Sequence, residues 1–476
     1  MDRTLRRLAL ICLLLPALVL PSAASAHVGD AGPVQSITQA VGPYELTVTI
    51  ELPPSVPATL FVSIASREDL EGATLTLRAA PRGWSLIDAP AVTMSTVPGM
   101  PVVYKSQVEL DRPGDWDLEV RADGPRGAGS ALVPFTIEQA PLPTYTVPLL
   151  VSLGGLFALL LSGVVVAAVA QGSGRPAPRA LSWTLGQLSF ACGVAAAIFG
   201  GLQVTSSFSA ATAASMADTG RPHVNMTVLS EPAEPMVGQP LRLTFQLTDG
   251  GTGLPVDDLA PHHEALLHLV VIDETGTSFE HLHPARVAPG RFVTELVPSR
   301  PGRHTAYMEL SRHASGSQIV ARDFVVSGDA VGTPPAAAGL GPREVGGVQV
   351  DVTSSTEALQ AGRQAVLTFR LSEGGTPVAD VQPWLGMAGH LIARSADETV
   401  FSHVHAAERM AEPGPMGQAL QYGPEIRFVY TFPTPGRYHA WAQFQRAGEI
   451  ITVPMLLDVA AEAPELAREA ETISDR

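Results

Sequence analysis

Gly389-His390-Leu391-Ile392-Ala393-Arg394-Ser395-Ala396-Asp397-Glu398-Thr399-Val400-Phe401-Ser402-His403-Val404-His405 carries both the fold and the chemistry of this chain in one short stretch. Two runs with strand-forming residues flank a polar centre at Asp397-Glu398, the form of a β-hairpin. A turn centred there sets His390 opposite His405 and Ile392 opposite His403. Opposed residues, and residues two apart on one strand, share a face of the sheet, so the imidazoles of His390, His403 and His405 point the same way. Three neutral imidazoles close together leave a coordination position open and suit copper or zinc. A bulge or one-residue slip would turn His403 and His405 away from His390.

The pattern occurs twice. Pro255, Asp258, Pro261, His268, Phe279, His281 and His283 match Pro377, Asp380, Pro383, His390, Phe401, His403 and His405 at a constant offset of 122. The earlier hairpin then turns at Thr275-Gly276, a favourable turn pair. An internal duplication is expected, with one metal triad in each copy: His268, His281 and His283, then His390, His403 and His405.

Outward from the hairpins, Leu46, Val48, Ile50 and Leu52 alternate with polar residues, as do Leu241, Leu243, Phe245 and Leu247, and Leu367, Phe369 and Leu371. Each series is followed by Pro-Gly and an aromatic-bearing strand: Pro113-Gly114-Asp115-Trp116, Pro301-Gly302-Arg303-His304 and Pro435-Gly436-Arg437-Tyr438. The expected fold is mainly β: three immunoglobulin-like antiparallel sandwiches over 27–143, 223–328 and 346–460, with linkers at 205–222 and 329–345 and a charged tail at 461–476.

The composition is too apolar for a plainly soluble protein and directs attention to membrane segments. Of 476 residues, 46% are hydrophobic and only 16% charged, with a net charge of -16, a balance that also disfavours nucleic acid as a partner. Arg3, Arg6 and Arg7, the apolar run Leu8 to Leu20 and Ala24-Ser25-Ala26 read as a signal peptide over 1–26. Val147–Ala170 and Leu181–Val204 read as two membrane-spanning helices, with Gly193, Ala197 and Gly201 offering a small-residue stripe to a neighbouring helix. The connection 171–180 holds Arg175 and Arg179 and no acid, which places it in the cytoplasm and both large segments on the extracytoplasmic side of a bacterial cytoplasmic membrane.

Lys105 is the only lysine, so phosphate-loop and Schiff-base chemistry have no residue to use, and no Gly-x-Ser-x-Gly occurs. No enzyme is expected. His27, the first residue after the signal, could offer its amino and imidazole nitrogens to copper. Met387, Met410 and Met416 could add a thioether that favours Cu(I). His223, His262, His263, His304, His313 and His439 have no matched partner between the copies and read as surface or packing residues, with His439, beside Tyr438 and Trp441, the first choice for an extra ligand.

Gly386-Met387-Ala388-Gly389-His390, Phe401-Ser402-His403-Val404-His405 and Ala442-Gln443-Phe444-Gln445 resemble bacterial exported proteins with YtkA-like or FixH-like domains. The resemblance covers both histidine-bearing copies and touches the first segment only through Gly42-Pro43-Tyr44 and Pro113-Gly114-Asp115-Trp116. It implies an exported immunoglobulin-like fold with heavy-metal binding. The earlier copy departs from it, with Glu264-Ala265-Leu266-Leu267 in place of the Gly-Met-Ala-Gly approach. The expected function is a membrane-anchored metal-binding protein for copper storage, tolerance or delivery to a cuproenzyme, with zinc as the alternative ion. An envelope scaffold that docks a protein partner is the competing reading.

Overall fold

The computed structural model describes residues 34–53, 56–66, 70–137, 146–174, 179–216, 221–313, 315–408 and 420–461. The signal segment, His27, Arg175, Met410, Met416 and residues 462–476 of the tail lie outside the described residues. The chain is mainly β, with two helices between its first and second β segments.

Among the described residues six antiparallel sheets form, two from each of the three β segments. Alternation sets which faces are buried: Leu46, Val48 and Ile50 are fully enclosed, as are Leu243 and Phe245, and Leu367, Phe369 and Leu371. In the last segment the paired sheets share one core, which joins Val350, Phe369 and Phe428 to Leu391, Phe444 and Val453. The cores of the first two segments run together into a single cluster. Each Pro-Gly opens a long strand, namely Gly114–Gly124, Gly302–Arg312 and Gly436–Arg446.

Two of the expected boundaries need correction. The helices run over Thr146–Ser173 and Arg179–Met216; among the described residues Leu149–Ser173, with a mean hydropathy of 2.5, is long and apolar enough to cross a membrane, and Trp183–Phe199 is a shorter apolar stretch of the second helix. The close approach between the helices is Gly155 against Cys192, while a Cβ at Gly193 would meet open space. The stretch 205–216, expected as linker, continues the second helix, for its Ala-rich sequence has no Gly or Pro to stop it. Gly341–Val345, expected as part of a connector, is a strand paired with Val348–Ser354.

The connector ahead of that strand is tied to both neighbours. Val331 donates its amide to the Ser299 carbonyl (2.9 Å) and Leu456 donates to that of Ala338 (3.0 Å). The first segment also packs on the second: Ala40 donates to the His283 carbonyl (2.8 Å). Buried Arg286 there reaches Asp117 of the first segment (3.0 Å) and Asp257 (2.7 Å).

Candidate metal centre

Both hairpins form in the expected register. Leu269 faces Leu282 and Val270 faces His281 in the earlier copy, around a turn where Gly276 has φ +69°. In the later copy His390 faces His405 and Ile392 faces His403. Asp273 fastens the first turn by accepting amides from Thr277 (2.7 Å) and Ser278 (2.6 Å).

The central strands Leu267–Asp273 and His390–Ser395 are buried along their whole length. One face of each serves its own core, through Leu267, Leu269 and Val271, and through Leu391 and Ala393. The other face meets the second copy: Val270, Ile272, Tyr307, Ile392 and Trp441 form a separate apolar cluster between the copies. The seam has approximate two-fold symmetry. Phe279 stacks on Trp441 (4.7 Å between ring centres), and its counterpart Phe401 stacks on Tyr307 (4.1 Å). Beyond the second stack, Arg303 pairs with Glu398 (2.8 Å).

At the far end of this seam the two triads meet. Sequence spacing gave one site per copy; the fold brings both sets into one cluster, because the interface face of each sheet is the face that carries the histidines. Ring nitrogens of His268, His281 and His403 lie within 4.8 Å of one another, as do those of His390, His403 and His405. The later triad is as expected. In the earlier one His403 of the other copy takes the place of His283, whose Nδ1 is 3.5 Å from Glu45 of the first β segment. These rings are enclosed: His268, His281, His283 and His390 are all buried, and the His403 side chain is 1% exposed.

Hydrogen bonding fixes which nitrogens are available. A carbonyl oxygen only accepts, so Nε2 of His268 donates to the carbonyl of His262 (3.0 Å) and Nε2 of His390 to that of Trp384 (3.0 Å). In each neutral ring Nδ1 is then a lone pair. His281 Nδ1 donates to Gln443 Oε1 (2.9 Å), which leaves its Nε2 as the lone pair. His268 Nδ1, His281 Nε2, both ring nitrogens of His283 and His405 Nε2 are buried without a hydrogen-bond partner. Such orphans are costly and rare in a folded interior, and a cation shared among them would satisfy them.

Glu309, opposite His268 on the neighbouring strand, completes the centre. Its Oε2 lies 2.7 Å from His403 Nδ1, while His403 Nε2 lies 2.9 Å from the His390 Nδ1 lone pair. Burial pushes the Glu309 carboxyl up to about 7. Burial, reinforced by the neighbouring imidazoles, holds His403, His390 and His268 well below the usual histidine range. Below about pH 7 both members of the pair are therefore neutral without metal: the Glu309 hydroxyl donates to His403 Nδ1, and His403 Nε2–H donates to His390. A cation would displace that proton, with Glu309 as carboxylate accepting Nδ1–H and His403 Nε2 released as a ligand, the arrangement that orients metal-bound histidines. Gln443 holds the equivalent place toward His281.

Glu309, Gln443 and Trp384 were given no part in the site from sequence, and His262 and His263, read there as surface or packing residues, lie beside it. Trp384 packs edge-on to His390 (4.9 Å) and His281 (5.0 Å), and His263 lies 3.7 Å from His405 between ring centres. The available signal was positional: Glu309 and Gln443 follow their Pro-Gly pairs at the same distance. His439 is not part of the centre. It pairs with Arg394, four residues along the strand from His390, or about 13 Å, and stacks on Trp441 (6.2 Å). Met387 is buried and closes the turn to Trp384 through its backbone.

A family described as a domain of unknown function (DUF8832) matches residues 222–328 and again 343–461, so the two histidine-bearing segments are similar to one and the same domain. No curated protein matches the chain. Among solved structures, a tetra-tandem repeat from the extending region of a large adhesion protein is 11% identical, over 90% of this chain and 75% of that one, with a TM-score of 0.17. The Escherichia coli adhesin FdeC gives 11%, 90%, 98% and 0.17, and the FN1–FN3 domains of chicken CNTN1 give 10%, 90%, 100% and 0.16. TM-scores this low carry no argument about arrangement or function.

Proposed function

We propose that this is a membrane-anchored, extracytoplasmic metal-binding protein that stores copper, protects against it or delivers it, with zinc as the alternative ion. Its β segments serve as immunoglobulin-like sandwiches, and the apolar helix Leu149–Ser173 as anchor. The observation that carries the reading is the convergence, from two repeats, of buried imidazole nitrogens that lack a hydrogen-bond partner. An all-nitrogen donor set without thiolate suits copper or zinc rather than calcium or magnesium, which take oxygen ligands. The motif resemblance to YtkA-like and FixH-like exported proteins agrees with this.

A scaffold role is the second reading, favoured by the aromatic stacks that hold the seam without any ion. Elemental analysis of the full chain, purified in detergent without a histidine tag and after exposure to Cu(I), Cu(II) and Zn(II), separates the two. Stoichiometric retention of copper or zinc is expected. Retention of neither ion leaves the scaffold reading standing.

A further inference from the structure

The centre is nearly symmetric except at one end, and the exception concerns how an ion gets in. In both copies a tight turn leads into the central strand, and its backbone is the same: His263 and Glu264 have φ +46° and +55°, Leu385 and Gly386 +52° and +73°. The turns make matching hydrogen bonds, His262 with Ala265 and Trp384 with Met387. The side chains differ. Buried Trp384 caps the rings of His281, His283 and His390, so that end is sealed by an indole that cannot ligate a metal. At the other end the equivalent turn presents His262 and His263.

These two rings continue the cluster outward. Ring centres are 4.0 Å apart between His262 and His263, 3.7 Å between His263 and His405, and 4.7 Å between His405 and His403. Of these eight histidines, His262, His263 and His405 are partly exposed, while the side chains of the other five are buried. Nδ1 of His262 and of His263 is buried and has no hydrogen-bond partner. Burial lowers both rings, His263 to about 4.

We infer that His262 and His263 form a transfer port: a soft or borderline cation, Cu(I) or Zn(II), is taken from solvent by these rings, passed to His405, and from there to His403 and the inner set, and leaves by the same route. Each hand-over makes one metal–nitrogen bond as another breaks, with no change in the oxidation state of the ion. The inference rests on the metal-binding reading and adds a route to it. Because the port is a path and not the resting site, it governs rates and leaves the equilibrium alone.

The full chain in detergent micelles, loaded with Cu(I) under anaerobic conditions or with Zn(II), is mixed with a chromophoric chelator, and the rate of transfer is followed by stopped flow alongside equilibrium competition. His262→Ala combined with His263→Ala should slow uptake and release several-fold and equally, leaving affinity unchanged. His313→Ala, an exposed histidine of the same copy, should change neither. His263→Asn, whose side chain tolerates the left-handed backbone, serves if the double variant disturbs the turn. Unchanged rates overturn the port. A loss of affinity that accounts for the slower uptake also overturns it, by making these residues resident ligands. If the wild-type chain binds neither ion, the metal-binding reading fails and the port with it.

Discussion

His403 belongs to both three-nitrogen sets, so its removal should cost more than that of any other histidine. His403→Ala should abolish high-affinity binding, where His283→Ala reduces it less; calorimetric titration of the full chain checks the order. The pH dependence of binding is set elsewhere. Burial lowers His281 and His405 to about 3, so these rings are already neutral at pH 5 and do not compete protons against metal at ordinary pH, contrary to what free imidazole near 6.5 would suggest. The proton that must leave is the one held between Glu309 and His403, whose carboxyl sits at about 7. Affinity should therefore rise about tenfold per pH unit up to about pH 7, where one proton is released per ion, and level off above it, where none is. Glu309→Gln removes that proton and should flatten the profile, at a loss of about 10–100-fold in affinity through the lost carboxylate. An unchanged pH profile in this variant would remove Glu309 from the account. Stability of the metal-free chain has the opposite origin: with their folded values below the unfolded 6.5, His281 and His405 bind protons only on unfolding, so stability falls as pH drops from about 6.5 toward 3.

At the scale of strands, the hairpin registers were legible because side-chain period and turn chemistry both act within a few residues. Asp397-Glu398 and Thr275-Gly276 fixed which residues oppose, and the structure keeps both pairings. The meeting of the two copies was not legible, since spacing tells which face of a sheet a residue occupies and not what covers that face. A trace of it was present. Leu267 to Ile272 does not alternate, and outward-facing Val270, Ile272 and Ile392 are too apolar for water, yet such a run reads equally well as an ordinary core strand. Gly276 belongs to this level too. A Cβ there would come 2.4 Å from His439 Nδ1 of the other copy, and φ is +69°. Gly276→Ala should destabilise the seam by about 1–3 kcal/mol, seen as a lower unfolding midpoint and a weakened His439–Trp441 environment in near-ultraviolet dichroism. A neutral substitution would mean that the turn does not touch the second copy.

For the whole molecule, the consequence of a shared centre is mechanical. If each copy held its own triad, metal would stabilise each sandwich separately and leave their contact as it was. With His268 and His281 from one copy and His403 from the other around one position, an ion held there ties the copies together. The ion then contributes to docking by mass action, about 2.7 kcal/mol at a free concentration one hundred times its dissociation constant. Hydrogen exchange on the full chain with metal and after chelation should show added protection at Leu267–Leu282, His390–His405 and the long strands Gly302–Arg312 and Gly436–Arg446 that back them. The sheet Val34–Glu51 should respond less, through its bonds to His283 and Glu264, and the helices not at all. Protection that rises inside each copy but not along Val270, Ile272 and Ile392 would show two independent sites, because only an ion held by both copies can slow the opening of the face between them.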